Sequence, residues 1–225
     1  MIVIGYYTTG SGYEREAERL AKSLDRVSMS YEIEAIPGPL SWYAATAQKP
    51  IFCRKMRKEL HGGLLYIDVD AFVHENCEAF FDEMGERGID FAAHWFQGPS
   101  GGYDRTKNAD RMLSGTLFLG DTDGASRLID AWCGMNSHLQ RHGCTQGGGQ
   151  KNLWYLTTCL DLQTERLPGR FCRVFDKAFA YPEDEPVIIE HLIASRENRG
   201  ESKGKVHAGR QARIRQLDEM LAIGE

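Results

Sequence analysis

Two aspartates one residue apart, Asp68 and Asp70, follow the run Gly62-Gly63-Leu64-Leu65-Tyr66-Ile67. A continuous apolar stretch of this kind reads as a strand buried on both faces, and it stops in two carboxylates. Two acids there repel each other and are costly to desolvate unless a cation shares them. Mg²⁺ or Mn²⁺ answers that need, because hard cations take carboxylate and phosphate oxygens together. An isolated Asp-x-Asp is common, and its bland alternative is a strand-to-loop turn with Asp68 capping local backbone. The position directly after Leu-Leu-Tyr-Ile favours the cation. Far along the chain, Ile188-Ile189-Glu190-His191 is another apolar stretch ending in a metal-capable side chain. A neutral imidazole at His191 would complete the ligand set; otherwise it is a histidine satisfied in the core or at a turn.

The elements needed to place these residues follow from hydrophobic periodicity. Residues 2–7 form a short apolar run that ends in Thr8-Thr9-Gly10-Ser11-Gly12, and a helical pattern follows with Ala17, Leu20, Ala21 and Leu24 on one face. Residues 31–36 alternate as a second strand and stop at Pro37-Gly38-Pro39. Ser41 is positioned to cap a helix through Trp42, Tyr43 and Ala44, and another helix starts at Pro50. After the aspartates the pattern predicts a helix over 77–84, a strand over 89–93, a polar Gly-rich loop over 97–110 and a strand over 116–119. Helices over 124–141 and 151–160, short strands over 172–175 and 186–190, and an amphipathic helix over 206–223 complete the chain.

Alternating strands and helices predict an α/β fold with a mostly parallel sheet. Ligands of such sheets bind beyond the carboxyl ends of the strands, which would bring Thr8–Gly12 and Asp68–Ala71 to one edge. The 225 residues fit one domain. It divides into residues 1–120, with the Thr8–Gly12 and Asp68–Ala71 edge, residues 121–205, which carry His191, and a C-terminal helix (206–225).

Bulk composition narrows the classes. Hydrophobic residues make up 42% and charged residues 26%, enough for a sizeable core in a soluble protein. No apolar run approaches the ~20 residues of a membrane span, and Met-Ile-Val-Ile-Gly-Tyr-Tyr reads as a first strand, not a secretion signal. The six cysteines form no Cys-x-x-Cys pair and match no zinc spacing. They read as reduced, mostly core residues of a cytoplasmic protein. Between Arg196 and Arg215 seven basic residues face two acids, a net +5 inside a chain of −5, so the remainder carries −10. A basic tail on an acidic body points to a polyanionic partner (a diphosphate, a nucleic acid or a membrane surface) or to a solvated helical face.

The ordered set of features resembles the metal-dependent glycosyltransferases of GT-A fold, in particular the bacterial and phage nucleotide-diphospho-sugar transferases. The resemblance rests on Tyr7-Thr8-Thr9 with Tyr13, Ser41-Trp42 with Lys49-Pro50, and Tyr66-Ile67-Asp68-Val69-Asp70. Further along it rests on Ser114-Gly115-Thr116, Gln150-x-Asn152-Leu153, and Ile189-Glu190-His191 with Ala194-Ser195-Arg196. It implies transfer of a sugar from a nucleotide-diphosphate sugar, a UDP-sugar for preference, with Mn²⁺ or Mg²⁺ on Asp68, Asp70 and His191. Asp68 would also lie near the donor ribose or sugar. Tyr7, Thr8, Thr9 and Tyr13 would line the nucleoside pocket, and Arg196 or Lys203 would neutralise the diphosphate, a role their charge also permits. Lys49 falls where such enzymes place a basic residue near the donor. Ser114, Gly115, Gly149 and Gln150 would face the sugar.

The chain departs from the family at Gly149, where similar enzymes often carry an acid before the glutamine. Gln150 remains the candidate for the reacting sugar face. A base for an inverting reaction would have to come from Asp104, Asp110 or Asp161, and Asp110 stands beside Gln150 as the catalytic candidate. The acceptor is open among a glycan, a lipid, a protein side chain and a modified nucleobase. Two other activities fit the carboxylates or the tail: a nucleotidyltransferase acting on a sugar phosphate, and a non-catalytic sugar or nucleic-acid binding module. The first commonly opens with a Lys- or Arg-bearing nucleotide loop, which Thr8–Tyr13 lacks. Gly147-Gly148-Gly149 is followed by no Gly-Lys-Ser/Thr, so it is not a Walker loop. Trp42, Trp95, Trp132 and Trp154 are read as mostly core, with an acceptor pocket as the alternative for Trp95, beside His94 at a strand end.

Overall fold

The computed structural model describes residues 1–38, 40–96, 111–142, 148–175, 185–195 and 205–222. A six-stranded sheet runs in the order β2-β1-β3-β6-β5-β7, built from β1 (Ile2–Thr8), β2 (Tyr31–Ile36), β3 (Leu64–Ile67), β5 (Phe91–Phe96), β6 (Arg111–Leu119) and β7 (Thr164–Arg166). β1 pairs in parallel with β2 and β3, and β5 with β7. β6 alone runs against its neighbours β3 and β5. The sheet is therefore α/β and mostly parallel, as expected. β6 starts five residues earlier than the periodicity indicates, and β5 runs three residues further. A second sheet of order β4-β9-β8 comprises β4 (Ala71–Val73), β8 (Arg173–Val174) and β9 (Ile189–His191). β4 and β7 are too short to carry a period-2 signal, so their pairing partners, not their sequences, define them.

Strict alternation sends successive side chains of the central strands into two cores. Leu65 and Ile67 of β3 and Phe118 of β6 enter one, with Leu20 and Leu24 of α1 (Tyr13–Arg26) and Phe81 and Met84 of α4 (Glu78–Glu86). Leu64 and Tyr66 with Leu117 and Leu119 enter the other. There they meet Phe52 and Met56 of α3 (Lys49–Glu59), Leu128 and Trp132 of α5 (Asp123–Arg141), and Leu153 of α6 (Gly148–Cys159). Both faces of β3 are thus buried, which explains its unbroken apolar sequence. The short α2 (Trp42–Ala47) begins at Ser41, whose Oγ accepts the Ala44 N–H at 3.2 Å.

The C-terminal helix α7 (Lys205–Ala222) sets Ile214 and Leu217 against Phe72 and Leu192 in a third, small core. Two of its arginines, Arg210 and Arg213, depart from the reading of the basic tail. Arg210 is 4% exposed and donates to Glu16 Oε1 at 2.6 Å, and Arg213 donates to both Glu190 oxygens. These cations neutralise buried acids, so they form neither a polyanion surface nor a solvated face; only Arg215 of α7's three arginines is exposed. Residues 196–204, with the other tail charges except Lys205, lie outside the described residues. Trp154 also departs from expectation: it is 46% exposed, because Leu153 and Leu156 take the inward face of α6. None of the five described cysteines forms a disulfide.

Candidate functional site

β1 and β3 lie side by side and parallel, so their carboxyl ends open together. Thr8, Asp68 and Asp70 accordingly share one cleft of about 230 Å³, with Tyr7, Tyr13, Lys49, Ser114, Gly149 and Gln150 also in its wall. Sheet pairing places β6 next to β3, and the Asp68 N–H donates to Gly115 O at 2.8 Å. The β5–β6 register jumps from Ala93↔Leu117 to His94↔Leu113, leaving Ser114, Gly115 and Thr116 without β5 partners. Such a bulge re-aims side chains at the edge of a sheet, and here it turns that triplet toward the aspartates.

Asp68 is held from two sides. Lys49 Nζ stands 2.8 Å from its Oδ1, and the Tyr66 hydroxyl donates to the same oxygen at 2.8 Å. Burial, then the Asp68 charge, pushes the Tyr66 phenol well up, so it stays a donor. Lys49 is itself buried; it donates to Ser114 O at 2.8 Å and lies 4.7 Å from the centre of the Tyr66 ring. Gln150 Oε1 accepts from the Ser114 N–H at 3.3 Å, which ties the first turn of α6 to the bulge. Trp132 Nε1 donates to Gly149 O at 2.9 Å, fixing the same turn from the α5 side.

Asp70 is 9% exposed and its Oδ2 accepts the Ala194 N–H at 2.7 Å. Burial first, then the charges of Asp68 and Glu16, push its carboxyl up to about 7, against the pull of the Ala194 N–H and Arg210. The positive charge that Arg210 supplies does not offset the burial and the neighbouring acids, a condition that a divalent cation would relieve. Asp68 and Asp70 therefore fit a hard cation.

His191 sits in β9, in the second sheet, and not at the edge of the main one. β9 pairs with β4, Ala71 opposite His191, which sets the imidazole behind the aspartates; it does not line the cleft. Burial holds its imidazole down at about 4, despite the Asp68 charge, so it is neutral, the form that ligates metal. Its Nε2 shares a 2.8 Å hydrogen bond with Thr116 Oγ1, and its ring lies where a Cβ on Gly115 would come within 2.8–3.1 Å. Among the described residues no three His, Cys, Asp or Glu side chains converge as a metal-holding group; the geometry brings together the two aspartates.

The other expected site residues divide plainly. Thr9 is absent from the cleft wall, and its Oγ1 accepts the Gly38 N–H at 3.0 Å. Trp95 is also absent: it lies within β5, packs beside the second core and carries Arg166 over its ring. Asp161 follows α6 and does not line the cleft. Asp104, Asp110, Arg196, Lys203 and the 97–110 loop lie outside the described residues. Sequence reasoning missed Tyr6, Ala45, Thr46 and Trp132 and read Trp42 as core, whereas all five are in the cleft wall. None of the four missed carries a motif; an aromatic such as Trp132 reads as core until the neighbouring helix ends against it.

No family model matches the chain, and no curated protein matches it. Its structure is similar to a glycosyltransferase involved in glycosylation of the major capsid of PBCV-1, with TM-score 0.63 and 13% identity over 94% of this chain and 96% of that one. It is also similar to the glycosyltransferase GlyE of Streptococcus pneumoniae TIGR4, with TM-score 0.60 and 15% identity over 98% of this chain. The aligned region spans 62% of that chain's length. The galactosyltransferase LgtC, solved with donor and acceptor sugar analogues, aligns with TM-score 0.51 and 11% identity over 85% of this chain and 86% of that one. The fold is that of these GT-A-like glycosyltransferases.

Proposed function

We propose that the protein is a glycosyltransferase that moves a sugar from a nucleotide-diphosphate sugar, a UDP-sugar in the first instance, to an acceptor. The observation that carries this reading is the convergence of Asp68 and Asp70, Lys49 and the Ser114–Gln150 contact on one cleft at the carboxyl ends of β1 and β3. Tyr7, Thr8 and Tyr13 form its nucleoside end, where an aromatic ring can stack on a base. Asp68 and Asp70 would hold Mn²⁺ or Mg²⁺, with neutral His191 behind them as the third candidate ligand. When bound, such a cation offsets the negative charge that develops on the departing nucleotide diphosphate.

The chain's own residues position the rest. Lys49 and Tyr66 fix the Asp68 carboxylate through one oxygen and leave Oδ2 without a hydrogen bond among the described residues. Gln150, anchored on Ser114, stands at the mouth of α6 where the donor sugar would lie. Trp132 and Lys49, both buried, also form part of the cleft wall.

The test is thermal melting against UDP, GDP, CDP and ADP, each with Mn²⁺ and with EDTA. A rise of several degrees with one nucleotide, lost in EDTA, is expected, since a ligand of the folded state stabilises by mass action. No shift with any of the four, in folded protein, would remove the donor-site reading.

A further inference from the structure

Asp70 is controlled from behind the cleft as well as from within it. The chain that follows β9 wraps the residue. Leu192 N–H donates to Asp70 O at 2.8 Å, and two residues on Ala194 N–H donates to Asp70 Oδ2 at 2.7 Å. Between them Ile193 has φ +56°, a left-handed backbone that a β-branched residue adopts only when its surroundings enforce it. That conformation is what lets both flanking N–H groups point at one aspartate.

The enforcing group comes from α7. Arg210 Nε donates to Leu192 O at 2.9 Å, and its Nη2 donates to Glu16 Oε1 at 2.6 Å. Glu16 is 7% exposed, and its other oxygen takes Arg19 at 2.8 Å. The guanidinium is a planar fork that grips a carbonyl and a carboxylate at once, which an ammonium on a shorter stem cannot reproduce. α1, α7 and the strained turn are thus locked into one assembly whose inner surface is the Asp70 hydrogen bond.

We infer that Arg210, with Glu16 as its counter-ion, is a positioning residue: it holds the Leu192–Ala194 turn in its left-handed form and thereby fixes the Asp70 carboxylate. Arg210 does not line the cleft; it acts through the turn. That a cation then uses the positioned carboxylate rests on the reading of the site given above.

The test uses the full chain as Arg210→Lys, Glu16→Gln/Arg210→Met and Asp70→Asn, with amide exchange at Leu192 and Ala194 and Mn²⁺ titration. Arg210→Lys keeps the charge that Glu16 needs, and the double variant removes both charges so that neither is stranded. In both, the Ala194 amide is expected to lose protection while the amides of β1 and β3 keep theirs, and Mn²⁺ to bind about ten- to a hundredfold more weakly, the usual loss when the partner of a ligand is removed. Ala194 protection equal to that of the parent, in both variants, overturns the inference. If the parent binds no Mn²⁺, or Asp70→Asn binds it equally well, the metal reading fails, and Ala194 exchange still decides the role of Arg210. If Asp70→Asn loses Mn²⁺ while the Arg210 variants bind it at parental affinity, the positioning role is refuted and the metal reading stands.

Discussion

At the level of single residues, the cation end of the cleft is a balance between burial and charge. Asp70 carries the unfavourable side of it: its folded carboxyl is raised to about 7, above the ordinary ~3.9 of an aspartate. The sign follows directly. Without a cation, Asp70 favours folding below its unfolded pKa, and that contribution is lost as pH rises through the folded value. A cation must displace the proton, so Mn²⁺ affinity is expected to climb with pH up to about 7 and then level. Titrations between pH 5.5 and 8 would show this, and a flat profile would exclude Asp70 as a ligand. Asp70→Asn is expected to abolish the Mn²⁺-dependent nucleotide shift in melting temperature. Gly115 makes a different point, because its missing Cβ is occupied by the His191 ring. Gly115→Ala should overpack the site by ~1–3 kcal/mol, visible as a lower urea midpoint with an unchanged slope.

At the level of elements, β9 joins the site to the C-terminal helix. Its Glu190 is 6% exposed yet receives His74 Nε2 at 3.0 Å and Arg213 on both oxygens. Burial pushes this carboxyl up, but the hydrogen bonds of His74 and Arg213 outweigh it and hold it below the usual glutamate range. A depressed carboxyl contributes stability above its unfolded pKa of ~4.3 and loses it as pH falls through the lower folded value. The parent should therefore lose melting temperature steeply below about pH 4.3, and Glu190→Gln should flatten that limb while lowering stability at neutral pH. A steep acid limb retained in Glu190→Gln would place the acid sensitivity elsewhere. The same element pairs with β4, so its neighbour His191 is set by strand register and not by proximity in sequence.

At the level of the whole molecule, α7 closes the structure over Phe72 and Leu192, both fully buried. Uncovering each would cost ~1.5–3 kcal/mol, and removing α7 would take Arg210 from Glu16 and Arg213 from Glu190. A chain ending at residue 204 is expected to melt well below the full chain and to lose Mn²⁺ binding with it. Parental melting and Mn²⁺ binding in the shortened chain would show that α7 is an appendage. No helix among the described residues is long and apolar enough to cross a membrane.

What the sequence determined by itself was local and periodic. The apolar run before Asp68-Val69-Asp70, the helix cap at Ser41 and the alternation of strands with helices needed only neighbouring residues, so the α/β class and the two aspartates were legible. The tertiary structure decided whatever depends on pairing at a distance. A three-residue strand such as β4 or β7 has no period of its own, and nothing near Thr116 announces the bulge that frees Ser114–Thr116. The arginines of α7 read as a surface charge because composition records their sign but not the buried acids they meet. Burial, by making an unpaired carboxylate costly, turned Arg210 toward Glu16 and Arg213 toward Glu190.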